Sequence, residues 1–63
     1  MNRYEIIYEG YLFEGDSDGL NVHPVYNTDE ALALIHAYGM DPDLSFMVRD
    51  LEYGVSWFRG EWS

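Results

Sequence analysis

Asn27-Thr28-Asp29-Glu30-Ala31-Leu32-Ala33-Leu34-Ile35-His36-Ala37-Tyr38-Gly39 is the stretch that decides the fold of this chain. Ala31, Leu34, Ile35 and Tyr38 recur at i, i+3, i+4 and i+7 and draw one apolar stripe along a helix. Asn27 or Thr28 is placed to cap it, and Asp29 and Glu30 fall in the first turn, where the helix dipole favours anions. Gly39 is the expected left-handed stop, and Asp41-Pro42-Asp43 prevents continuation. A helix of about three turns depends on packing more than on propensity. The rest of the chain must therefore offer its stripe a surface.

That surface reads as β-structure on both sides of the helix. Downstream, Leu44 to Leu51 is an expected strand with Leu44, Phe46 and Val48 on one face. Glu52-Tyr53-Gly54 makes a tight connection to a further strand, Val55 to Trp62, and the two read as an antiparallel hairpin. Val55 and Trp57 are expected on one face of that last strand, with Phe58 and Trp62 on the other. Upstream, Arg3 to Phe13 alternates Tyr4, Ile6 and Tyr8 with Glu5, Ile7 and Glu9. Gly10 breaks this run as an expected bulge, after which Tyr11 and Phe13 would turn inward. Glu14-Gly15-Asp16-Ser17-Asp18-Gly19 is a turn on composition, and Leu20 to Tyr26 a short extended piece. Pro24 cannot donate to a ladder, which confines that piece to an edge. The expectation is an α+β domain over residues 1–63: a three- or four-stranded, mainly antiparallel sheet with a single helix packed on one face.

Charge sets the limits on function. The 63 residues hold twelve Asp and Glu against three arginines and no lysine, a net charge of −9. Six Tyr, three Phe and two Trp supply a core that disordered acidic chains lack. Lipid headgroups and nucleic-acid phosphates both repel so acidic a surface, so direct DNA or RNA binding and membrane association are not expected. Met1-Asn2-Arg3-Tyr4-Glu5 has neither the basic start nor the apolar run of a signal peptide, and a soluble protein acting in the cytoplasm is the default. No cysteine is present to form a disulfide or a thiolate metal site.

No catalytic motif emerges, and no enzyme, cofactor or metal is expected. Asp16-Ser17-Asp18-Gly19-Leu20-Asn21 starts like a calcium loop, but Leu20, Asn21 and Asn27 stand where an oxygen ligand, glycine and glutamate are required. His23, expected in a loop, and His36, on the polar flank of the helix, lack further ligands at zinc spacing. Ser17, Ser45, Ser56 and Ser63 lie in no nucleophile-elbow context, and Gly10, Gly15 and Gly19 have acidic neighbours, the wrong sign for a phosphate loop.

Three readings of the acidic excess compete. One is a solubility surface with no partner. Another is a small interaction module, such as an antitoxin or regulator, that meets a basic partner through exposed aromatics such as Trp62 or Tyr53 with the acids as a rim. The favoured one is mimicry of a nucleic-acid backbone. Carboxylates at alternate strand positions stand about 6.6 Å apart, comparable with phosphates along one strand. Arginines of a basic groove would pair with them bidentately.

In length, acidity, absence of cysteine and α+β pattern the chain resembles the small acidic phage-encoded inhibitors, in particular anti-CRISPR proteins of the DNA-mimic type. The resemblance implies a protein that occupies the basic DNA- or PAM-binding surface of a CRISPR effector and stops target DNA from loading. It points to a type I, Cascade-like effector with a Cas8-type subunit, in the host cytoplasm, with antirestriction DNA mimics as the neighbouring group. The carboxylates expected to engage are Glu14, Asp16, Asp18, Asp29, Glu30, Asp41 and Asp43 at turns and the helix start, extended by Glu5 and Glu9. Asp50, Glu52 and Glu61 are expected to be neutralised by Arg49 and Arg59. A monomer is favoured.

Overall fold

The computed structural model describes residues 2–63. Asn27 caps the helix α1 (Thr28–Tyr38): its backbone is extended, and its side-chain oxygen accepts from the Glu30 N–H at 2.8 Å. A cap of this kind contributes about 1 kcal/mol. Thr28, the other candidate cap, instead meets the Tyr4 hydroxyl at 3.0 Å and so fastens the helix start to the sheet.

The sheet contains five strands rather than three or four. They are β1 (Tyr4–Glu9), β2 (Leu20–Val25), β3 (Phe46–Asp50), β4 (Val55–Phe58) and β5 (Glu61–Trp62), in the order β2-β1-β3-β4-β5 with every pair antiparallel. Pro24 lies on the outermost strand, where its missing N–H breaks no ladder bond. The extra strand arises because Val55 to Trp62 is not continuous. Arg59 (φ 48°) and Gly60 (φ 96°) form a two-residue turn of the kind that matches hairpin twist, and β5 folds back on β4. That reversal places Trp62 opposite Trp57, so the two indoles share a face and Phe58 lies on the other with Glu61.

Strand alternation then separates two faces. The face under α1 carries Tyr4, Ile6 and Tyr8 of β1, Val25 of β2, Phe46 and Val48 of β3, and Trp57 of β4, all buried. Ala31 is buried against them, with Leu34, Ile35 and Tyr38 packed alongside, so the helical stripe is the one its spacing specified. The radius of gyration, 10.9 Å, is that of a compact chain of this length.

Three further expectations are corrected. Gly39 is right-handed (φ −65°, ψ −25°) and is required for space rather than handedness, because the Trp57 ring lies against its α-carbon. Strand β1 ends at Glu9, and Gly10 (φ 102°) takes the chain out of the sheet instead of bulging within it. Tyr11 is accordingly exposed, whereas Phe13 folds back to stack on His23 at 4.1 Å and meet the edge of Tyr8 at 5.8 Å. His23 is therefore a residue of β2 with an aromatic partner, not a loop residue.

Candidate functional site

Antiparallel pairing decides where the carboxylates go. The end of the sheet at which β1 finishes also carries the 10–19 loop, because β2 starts opposite Glu9. The segment entering β3 lies there too, since the Glu9 N–H donates to the Ser45 carbonyl at 3.1 Å. Glu9, Glu14, Asp16, Asp18, Asp41 and Asp43 are thus gathered at one end, six of the nine candidate residues. Glu61 joins them beside the Arg59-Gly60 turn, and Arg59 is the single arginine at that end.

The candidates are not equivalent. Asp16 is the internal staple of the loop. Its Oδ2 accepts from the Tyr8 hydroxyl (2.7 Å), the Leu12 N–H (2.9 Å) and the Phe13 N–H (2.7 Å). Burial alone would raise the Asp16 pKa, but the donors from Tyr8, Phe13 and Leu12, with nearby His23, outweigh it and hold the carboxyl below the usual range. Burial and the adjacent anion push the Tyr8 phenol the other way, well above its ordinary pKa. Asn21 closes the same loop, accepting from the Ser17 N–H at 2.9 Å and donating to the Gly10 and Gly19 carbonyls. Neither role is visible in a turn composition. Both make the acidic loop a fixed object.

Around that frame Glu9, Glu14, Asp18 and Asp43 are exposed and have no ion pair or side-chain hydrogen bond among the described residues. Asp41 is also exposed and accepts from the Asp43 N–H at 2.9 Å, shaping its own turn. Asp29 and Glu30 stand at the opposite end, at the helix N-terminus, where the dipole already accounts for them. Glu5 faces directly across to Arg49, 3.5 Å away, on the face that α1 does not cover.

The arginines are placed differently from expectation. Arg3, not Arg49 or Arg59, holds the hairpin acids: its Nη2 lies 3.4 Å from Asp50 and its Nε 3.0 Å from Glu52. The Nε contact is an ion pair without hydrogen-bond alignment. The guanidinium is further framed by the rings of Tyr4 (5.0 Å) and Tyr53 (5.1 Å). Asp50 is buried, and burial alone would raise its pKa. The Tyr53 N–H, the Arg3 side chain and the Glu52 N–H together lower it. Glu61 has no ion pair among the described residues, so the acid expected to be neutralised is free. Arg59 lies over the Phe58 ring at 5.3 Å.

The structure therefore fixes two arginines away from the acidic end and leaves that end strongly negative. Among the described residues there is no cluster of three or more metal-ligating side chains, and no helix long and apolar enough to cross a membrane. Compared with known proteins, the chain matches no family model, no curated protein and no solved structure.

Proposed function

We propose that this protein is an acidic DNA-mimic inhibitor of the anti-CRISPR type. It occupies the basic DNA- or PAM-binding surface of a CRISPR effector, such as the Cas8-type subunit of a type I Cascade-like complex, and blocks target DNA binding in the host cytoplasm. It acts by binding, not by catalysis. The observation that carries the reading is the gathering of Glu9, Glu14, Asp16, Asp18, Asp41 and Asp43 at one end of a rigid sheet, away from Arg3 and Arg49. The loop that carries them suits such a role, because Asp16 and Asn21 already hold its backbone and little loop ordering is needed when a groove of arginines arrives. Steering by the net charge of −9 makes the encounter fast and salt-sensitive.

The test is competition between this protein and labelled PAM-containing duplex for a purified type I effector. Reversing Glu9, Glu14, Asp18 and Asp43 together to Lys abolishes competition while circular dichroism keeps its native form. Reversing Asp29 and Glu30, at the other end, leaves it largely intact. Unchanged inhibition by the fourfold variant refutes mimicry through this end. The second reading, a small acidic interaction module on a basic protein, is favoured by exposed Tyr53 and Trp62. It predicts that Tyr53→Ala or Trp62→Ala removes binding whereas single acid changes matter little.

A further inference from the structure

The helix covers one face of the sheet, and the other carries an apolar row that crosses four strands. Val22 pairs with Ile7, Ile7 with Met47, and Met47 with Phe58, so all four side chains stand abreast on the uncovered face. Val22 is 55% exposed and Phe58 47%, and Leu20, one step toward the acidic end on β2, is 66% exposed. Solitary exposed hydrophobics are ordinary, but a contiguous row is the mark of an interaction surface. At about 4.8 Å per strand the row is about 14 Å long, the length of about ten helical residues.

Charge decides what covers it. A second copy would bring another chain of net charge −9 to a sheet-packing distance of about 10 Å. Glu5, Glu9 and Glu61 of each copy would then face the other, and like charges partly buried in such a seam are screened by salt much less than exposed ones. The row's flanks are also unequal. On one side Glu5 is matched by Arg49. On the other, Glu9 leads into the unpaired acids of the 10–19 and 41–43 loops. Phe58 already accepts one guanidinium, that of Arg59, over its ring.

We infer that the open face is a docking surface for an amphipathic helix of a basic partner protein. Its apolar side lies along Val22, Ile7, Met47 and Phe58, and its Lys and Arg residues lie on the side toward Glu9. The bound helix gives the sheet a layer on its second face, as α1 does on the first. This inference rests on the reading of the protein as a binder of a basic partner and adds that contact extends from the acidic end onto an apolar floor.

The test is a methyl and amide NMR titration of the full chain in physiological salt with two probes, oligolysine and a Leu/Lys amphipathic helical peptide of about 14 residues. The Leu/Lys peptide is expected to shift the methyls of Val22, Ile7 and Met47, whereas oligolysine shifts only the acidic loops. Val22→Thr with Phe58→Thr, both at exposed strand positions, is expected to weaken the Leu/Lys peptide by about tenfold or more and leave oligolysine unaffected. If both peptides perturb only the acidic loops, the docking inference is wrong while the basic-partner reading stands. If neither binds, both fall. Movement of the row's methyls with protein concentration alone means that a second copy covers the face, and overturns the inference.

Discussion

Gly39→Ala sets two physical effects against each other, and the structure says which wins. Gly39 has ordinary helical angles, so on backbone grounds alanine should stabilise by about 0.5–1 kcal/mol through reduced freedom of the unfolded chain. Packing points the other way. A Cβ at this position would collide with Cη2 of Trp57 and stand 2.6 Å from both Cζ3 of that ring and the Ile35 carbonyl oxygen. Trp57 cannot swing away freely, because it is buried and set edge-on to Phe46 at 6.5 Å. Overpacking costs about 1–3 kcal/mol, and three contacts this short place Gly39→Ala in the upper part of that range, which leaves a net loss of about 1–2 kcal/mol. For a domain of this size that lowers the unfolding midpoint by about 5–15 °C. Thermal melts followed by far-UV circular dichroism and tryptophan fluorescence measure it directly. In a Trp57→Phe background the clash with the ring is relieved while the contact with the Ile35 carbonyl remains, so the same glycine change costs less than in the parent chain. A higher midpoint for Gly39→Ala in the parent chain refutes the packing argument.

Two further outcomes follow from the charges. Asp16 and Asp50 have pKa values lowered on folding, so the unfolded chain takes up protons first as pH falls, and stability is lost from about pH 4 downward. Melts across pH 7 to pH 2 should therefore show Asp50→Asn less stable than the parent at neutral pH and converging with it at the acid extreme; a constant difference would sink the assignment. Asp43→Asn removes one unpaired charge from the crowded end and keeps the turn. It should raise the midpoint by a few degrees in dilute buffer, lose that gain in molar salt where screening acts within about 3 Å, and compete less well with DNA.

How much of this was legible in the sequence depended on range. The helix and β1 were readable because their signals are local: a 3.6-residue stripe from Ala31 to Tyr38 and a two-residue alternation from Tyr4 to Glu9. Pro24 gave the edge position of β2 for the same reason. The Arg59-Gly60 turn is not legible in the sequence because arginine rarely occupies a left-handed position, and Gly60 is the one local clue that β4 and β5 are separate. Trp62 then lies on the face opposite to the one a continuous strand would give it, since a reversal between two residues changes which side each one meets. The pairing of Arg3 with Asp50 spans 47 residues, and no local pattern announces it. Asp16 looked like any other acid of a polar loop. Only the folded loop brings the Tyr8 hydroxyl and two backbone N–H groups to one of its oxygens.

The same long-range pairing gives the charge its direction. A net charge of −9 spread evenly would be a property of the whole surface, and solubility would be explanation enough. Here the Arg3 guanidinium is committed between Tyr4, Tyr53, Asp50 and Glu52, and Arg49 to Glu5. The acids at the helix start have a structural reason in the dipole; those after the helix C-terminus, Asp41 and Asp43, follow an end that is itself partly negative and gain nothing from it. A fold selected only for stability would distribute its few cations toward that end. This one holds its acidic loop rigid with Asp16 and Asn21, leaves the end uncompensated except by Arg59, and sets an uncovered apolar row beside it. The two features share one border, at Glu9 and Glu61, and a single basic partner with an apolar ridge beside its cations would satisfy both.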